Sequence, residues 1–352
     1  MKTRVCRLYG QNDLRIETEE VAAPGAGQVL VAVAAGGICG SDMHYLADGG
    51  IGTIRVREPI ILGHEASGRV LEVGVNVTGL APGDPVALNP SRPCESCAYC
   101  AEGLPMHCLN MRFNGSAMRL PHEQGLFRDR IVLDSAQCIK LPGGADLHAV
   151  ACAEPLAVCL HAARMAGDIR GKRVLVTGAG PIGSLCVAAA AVAGAAEIVV
   201  TDLQDAPLKV AEAMGATRTI NVLTSPETLE VYAADKGYFH LAFECSAAAP
   251  AIKSAVATLR PRGTLVQVGV AGDTVMPVNA LVAKEIRLQG SHRFHEEFAE
   301  AVAAITSGRI DVSPIITGRY PLEEAAKAFA VAADRTQAVK VHLSFAMPSQ
   351  TT

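Results

Sequence analysis

Gly178-Ala179-Gly180-Pro181-Ile182-Gly183 lies between a β-branched run and a long Ala-rich run, and it constrains the fold more than any other segment. The preceding residues 173–177, Arg-Val-Leu-Val-Thr, read as a buried strand. Residues 181–193 read as a helix, with Pro181 tolerated in its first turn. A second strand over 197–201 then ends at Asp202, 19 residues past Gly183. Strand, G-x-G-x-x-G, helix, strand and acidic residue in that order form a Rossmann dinucleotide fingerprint. Without this context the pattern would be a plain strand–turn–helix with a capping aspartate. Gly178 allows the tight turn, Gly180 lets backbone approach a pyrophosphate, and Gly183 lets helix and strand pack closely. Free N–H groups at the start of the helix receive the anion. Asp202 accepts from the ribose hydroxyls and repels a 2′-phosphate, so NAD is favoured over NADP.

The texture on either side of Pro142-Gly143-Gly144 differs. Upstream, short strand candidates at 29–35, 68–77, 85–88, 131–133 and 138–141 alternate with Gly and Pro turns, as in a distorted antiparallel β domain. Downstream, strands and helices alternate: a helix over 206–214 closed by Gly215, strands at 240–243 and 264–268, and a helix over 248–259 between them. That alternation predicts a doubly wound parallel sheet, so the fold class is α/β. Beyond about 285 the pattern is mixed, with helices near 296–306 and 322–333 and a last strand at 339–345. The expected division is one domain from 1–143 and 289–352, and a dinucleotide-binding domain from 144–288. Residues 348–352 are expected to fray.

The 352 residues carry 31 Lys plus Arg against 35 Asp plus Glu, a near-balance that argues against nucleic acid as a partner. The longest apolar stretch, 182–200, is mostly Ala, is broken by Gly183 and Gly194 and carries Glu197, so a membrane span is not expected. The opening MKTRVCRLYG has no apolar core of a signal peptide, and the 11 cysteines read as a reduced, cytoplasmic set. Four of them are spaced Cys94-x2-Cys97-x2-Cys100-x7-Cys108, which suits a closed tetrahedral zinc site that holds a loop together. A second, dispersed set comprises Cys39, His64, Glu65 and Glu154, whose thiolate, imidazole and carboxylates are suitable zinc ligands. Nothing in the sequence brings these segments together. Read singly, Cys39 is a small buried residue and His64-Glu65 a satisfied polar pair. Cys6, Cys138, Cys152, Cys159, Cys186 and Cys245 read as buried hydrophobes.

Several segments together resemble the zinc-dependent medium-chain alcohol/polyol dehydrogenases: GGICGSDMHY at 36–45, GHEASGRVLEVG at 63–74, the cysteine lobe, AEPLAVCLHA at 153–162, VLVTGAGPIG at 174–183 and VVTDL at 199–203. Glu154 stands where many of these enzymes have a cysteine, as in the polyol, sorbitol dehydrogenase-type branch. NPSRPC at 89–94, MRFNGSAMRLPH at 111–122, KGYF at 236–239, GSHRFHEEF at 290–298 and TQAVKVHLSF at 336–345 resemble members acting on the sugar acid L-idonate.

The resemblance implies a GroES-like catalytic domain beside the Rossmann domain and two zinc ions per chain. Cys39 and His64 would hold the catalytic zinc, with Glu65 and Glu154 ligating directly or through water, and Asp42 orienting His64. Ser41 and His44 would pass a proton towards solvent. Tyr45, Phe113, Arg293 and Phe294 would lie near substrate or nicotinamide, and Val268 and Gly269 would meet the carboxamide. Arg112, Arg119, His122 and Arg293 are candidate partners of a substrate carboxylate. The implied reaction is reversible NAD-linked oxidation of a secondary hydroxyl, L-idonate to 5-keto-D-gluconate, with sorbitol, xylitol and L-threonine as alternatives. A non-catalytic zinc- and dinucleotide-binding protein is the alternative of a different class. A homodimer or homotetramer is implied, and residues 260–290 offer an edge strand for pairing.

Overall fold

The computed structural model describes residues 1–270 and 272–346; the fraying expected at 348–352 lies outside the described residues. Six strands form one parallel sheet in the order Arg218–Asn221, Glu197–Asp202, Arg173–Thr177, Phe239–Glu244, Leu259–Gln267, Arg287–Gly290. In chain order this is 3-2-1-4-5-6, and each neighbouring pair is parallel. Such strands are buried on both faces, which is why they read as unbroken β-branched runs. Val174 and Val176 face the helices Ala153–Ala166 and Pro181–Val192, while Leu175 faces the side covered by Ala249–Thr258. The strand order reverses between Arg173–Thr177 and Phe239–Glu244, and ligands bind at the carboxyl ends of such a switch point.

The second unit is antiparallel except for one pair, Ile316–Pro321 with Lys340–Ser344, which runs parallel. A seven-stranded sheet runs Cys138–Lys140, Pro85–Leu88, Glu65–Val73, Gln28–Gly37, Lys340–Ser344, Ile316–Pro321, with Arg130–Asp134 also paired to Gln28–Gly37. The last two strands come from the far end of the chain, and Lys340–Ser344 lies directly on Gln28–Gly37, with His342 opposite Gly37. A three-stranded sheet of Asp13–Glu20, Lys2–Gly10 and Ile60–Ile61 packs beside it.

Several elements were not foreseen. The amino-terminal hairpin is half-exposed and charged, so its alternation is weak. The helix Gly40–Asp48 is short and starts inside a Gly-rich segment. The strand Leu259–Gln267 begins directly after the helix Ala249–Thr258, five residues before its apolar part at Thr264. The helix Leu147–Ala151 lies beyond the Pro142-Gly143-Gly144 break yet packs on Gln28–Gly37 and Glu65–Val73.

Candidate active site

Two ends of strands and two starts of helices build the metal-ligand set. Cys39 follows the strand Gln28–Gly37 and caps the helix Gly40–Asp48. His64 precedes, and Glu65 begins, the neighbouring strand Glu65–Val73. Antiparallel register puts Gly37 opposite Glu65, so both segments end at the same edge. Ligand atoms of Cys39, His64 and Glu65 all lie within 4.8 Å of one another. Glu154 sits in the first turn of the helix Ala153–Ala166, is buried, and acts electrostatically on His64, but it falls outside that closest set.

Asp42 fixes the frame of this set. One of its oxygens accepts the Cys39 N–H at 3.0 Å and the other accepts the Gly63 N–H at 3.1 Å. Its distance to His64 Nδ1 is 3.8 Å, beyond a hydrogen bond. Asp42 therefore positions the backbone that carries Cys39 and His64, where direct orientation of the imidazole was expected. Burial pushes the Asp42 carboxyl up, against His64 and those two N–H groups. Burial works against a charged His64, but Asp42, Cys39 and Glu154 outweigh it and raise its pKa. Burial, with help from Glu65, pushes Glu154 up to about 7, while His64, Lys340 and Arg293 oppose the rise.

Lys340 is the main residue that sequence reasoning missed. Its Nζ lies 2.7 Å from both Glu65 oxygens and donates to the Ile38 carbonyl at 3.2 Å, with lysine and glutamate both buried. A lysine inside the apolar run of the last strand was the available signal, since that strand is buried on both faces.

Ser41 Oγ is 3.5 Å from His64 Nε2, and His44 is exposed with Nδ1 2.8 Å from Asp48 Oδ2. Tyr45 is buried and its hydroxyl accepts the Ala117 N–H at 3.2 Å. The Phe113 ring is centred 5.7 Å from the His64 ring, and the Arg293 guanidinium lies over Phe113 at 4.7 Å. Burial lowers the Arg293 pKa, opposed by Glu154 and Tyr45. The other expected substrate residues are engaged elsewhere. Arg119 donates to the carbonyls of Met111 and Leu109, both at 2.6 Å. The His122 ring accepts from the Arg57 N–H at 2.9 Å and meets the Arg119 carbonyl at 2.6 Å. Arg112 pairs with Glu123. Phe294 is a core residue stacked on Phe298.

In the cysteine lobe, Cys97 Sγ lies 3.6 Å from Cys100 Sγ and 3.9 Å from Cys108 Sγ. A tetrahedron with metal–sulfur bonds of about 2.3 Å has edges of about 3.8 Å, so these thiols fit zinc. Backbone N–H groups of Cys94, Leu109 and Asn110 point at the sulfurs. Hydrogen bonds from Ser96 hold the Cys94 thiol down to about 5, whereas burial and its neighbours Cys97 and Cys108 push Cys100 up to about 12. Without a metal, four adjacent sulfurs resist being thiolates together.

At the parallel sheet, Gly178 has φ +86°, and a Cβ at Gly183 would sit 1.7 Å from the Gly178 carbonyl oxygen. Asp202 accepts N–H groups of Ala179 and Leu203 at 2.7 Å and of Gln204 at 3.0 Å, tying the glycine turn to the second strand. A crevice of about 580 Å³ opens there, lined by Gly178, Asp202, Val222 and Ser246 among others. Arg335 was also missed: its Nη1 lies 2.8 Å from where a Gly180 Cβ would stand, at the start of the helix Pro181–Val192. A cation there suits an anion at a helix N-terminus. Val268 and Gly269 follow the adjacent strand and border a second cavity of about 590 Å³. No helix among the described residues is long and apolar enough to cross a membrane.

Residues 25–143 match the alcohol dehydrogenase GroES-like domain family, and residues 181–307 match the zinc-binding dehydrogenase family. L-idonate 5-dehydrogenase (NAD(P)(+)) of Escherichia coli K12 is 40% identical over 348 residues, covering 98% of this chain and 99% of that protein. Sorbitol dehydrogenase of Gallus gallus is 37% identical, covering 96% and 94% of the two chains. The crystal structure of the Escherichia coli L-idonate 5-dehydrogenase superposes with a TM-score of 0.93 at 39% identity, covering 98% and 99%.

Proposed function

The chain belongs to the zinc-dependent medium-chain dehydrogenases, oxidoreductases acting on CH–OH groups, and from that premise we propose that it oxidises L-idonate to 5-keto-D-gluconate, reversibly, with NAD. The observation that carries the substrate class is Arg293, a half-buried guanidinium over Phe113 and within electrostatic reach of Glu154. A carboxylate-bearing substrate gives that cation a partner, and a planar guanidinium suits it. The name of the 40%-identical relative supports the same class, and that of the sorbitol dehydrogenase supports a neutral polyol as the second reading.

Cys39, His64 and Glu65 would hold the catalytic zinc, with Glu154 alongside, and the four lobe cysteines the structural one. When bound, zinc supplies Lewis acidity at the substrate hydroxyl and the dinucleotide supplies the hydride acceptor. Lys340 donates to both Glu65 oxygens and holds the side chain turned towards this edge. Ser41 and His44 stand three residues apart on one helix face, so Ser41 takes the hydroxyl proton and His44 hands it to solvent beside Asp48. Phe113 and Tyr45 wall the site, and Arg293 orients the substrate. Asp202, with three backbone N–H groups already bound, has acceptor capacity left for ribose hydroxyls, and its charge disfavours NADP.

Leu288 of the edge strand Arg287–Gly290 is exposed, as are Val270, Val275, Val278 and Val282 in the segment that precedes it in the chain, and this supports a homodimer through that edge. Eleven free cysteines suit a reducing, cytoplasmic setting. Initial rates with L-idonate, sorbitol, xylitol and L-threonine, each with NAD and NADP, test the reading. L-idonate with NAD should give the highest kcat/KM, and Arg293→Leu should lower it selectively. Equal kcat/KM for sorbitol and L-idonate would sink the sugar-acid assignment, and absence of dinucleotide reduction with any of them would favour a non-catalytic role.

A further inference from the structure

Glu244 closes the strand Phe239–Glu244 at the centre of the parallel sheet, in register with Thr177 on one side and Gln267 on the other. Its side chain is fully buried. Among the described residues, every donor that reaches it is neutral. Oε1 accepts from Thr177 Oγ1 at 3.2 Å, from the Ser246 N–H at 2.9 Å, from the Ser246 hydroxyl, and from the Ala247 N–H at 3.0 Å. Oε2 accepts the same Ala247 N–H at 3.0 Å and Gln267 Nε2 at 2.6 Å. A buried carboxylate needs this saturation to offset lost hydration. The sheet itself does not require it, because strand pairing already uses the backbone groups here.

What the carboxylate holds is the floor of the crevice. Ser246 lies against the glycine turn: a Cβ on Gly178 would meet Ser246 Cβ and N at 3.1 Å. Ala247 is kept at φ 59°, an uncommon conformation for a side-chain-bearing residue, with its N–H shared by both carboxylate oxygens. On the far side, the Glu244 carbonyl accepts N–H groups of Val268 at 2.9 Å and Gly269 at 2.8 Å. Gln267 Nε2 bridges Glu244 Oε2 to the Gly269 carbonyl, at 2.6 and 2.9 Å. One residue thus joins the pyrophosphate turn to the strand end reached by the other half of a dinucleotide.

We propose that Glu244 is a positioning residue for the dinucleotide, fixing the spacing between the Gly178 turn and the Val268–Gly269 strand end. This rests on the reading of the crevice as the dinucleotide site. Glu244→Gln turns an amide NH2 on groups that are themselves donors and removes the charge that strengthens the others.

The test is NADH binding by fluorescence, with ADP-ribose as the probe for the adenosine half, on zinc-replete protein. Glu244→Gln should raise the NADH Kd at least about ten-fold, as for one lost charge-assisted hydrogen bond. The zinc content should stay at the wild-type value, since none of the residues that would hold zinc contacts Glu244. Gln267→Leu cuts the bridge to Gly269 and one donor to Glu244 Oε2, while leaving the contacts on the Ser246 side in place. It should raise the NADH Kd about three-fold or more while leaving the ADP-ribose Kd unchanged. A merely structural role would lower the melting temperature and leave both Kd values of the folded fraction alone. A folded Glu244→Gln variant with wild-type NADH affinity overturns the proposal. If that variant does not fold, wild-type NADH affinity in Gln267→Leu overturns it instead. Wild-type protein that binds no NADH refutes the dinucleotide reading itself, a different failure.

Discussion

Lys340→Met removes the buried cation that contacts Glu65 of the metal-ligand set. In the folded chain the Lys340 Nζ is 2.7 Å from each Glu65 oxygen, and neither residue reaches solvent appreciably. Removing one partner of such a pair leaves a buried charge uncompensated, at a cost of about 3–5 kcal/mol. The expected destabilisation is about 3–5 kcal/mol at pH 7. Urea unfolding at pH 7 measures it, on a Cys39→Ser background so that no metal ion substitutes for the lysine. Adding Glu65→Gln should recover at least about 2 kcal/mol, because the orphaned charge is then gone. A cost below about 1 kcal/mol, or no recovery in the double variant, would refute the reasoning.

Cys39→Ser should lower the zinc content by one ion per chain and abolish alcohol oxidation while leaving NADH binding intact; plasma emission spectrometry and fluorescence titration check both. Asp202→Asn keeps an acceptor for the Ala179 N–H but removes the charge facing a 2′-phosphate. The kcat/KM ratio for NAD over NADP should fall at least about ten-fold. Glu297 is held down to about 2: burial opposes its ionisation, but the His161 imidazole at 3.0 Å and the His295 N–H outweigh burial. Its folded value lies below its unfolded one, so this stabilisation is complete above about pH 4.5 and is lost as pH falls towards 2. Glu297→Gln should cost about 2–3 kcal/mol at pH 7 and flatten the acid limb of the stability profile, read by urea unfolding between pH 3 and 7.

Local spacing carried much of the fold and part of the site. The run from Arg173 to Asp202 determined a strand, a glycine turn, a helix and a second strand, because each step depends on residues within a few positions of one another. The same holds for the cysteine lobe, where fifteen residues of chain present four thiols at distances a tetrahedral metal accepts. Resemblance extended this to Cys39, His64, Glu65 and Glu154 by residue type.

Only the tertiary structure decided how those dispersed groups meet. Strand register set Glu65 at the edge with Cys39 and His64 and left Glu154 one step outside. The returning strand Lys340–Ser344 brought Lys340 against Glu65 across 275 positions, and the loop before it brought Arg335 to Gly180. Arg119 and His122, plausible substrate groups by type, turned inward to backbone carbonyls and N–H groups instead. A sequence fixes neighbours within one turn or one strand through backbone geometry. A contact between distant segments depends on which sheet edges pair and which buried polar groups must find partners, and that is settled only when the whole chain packs.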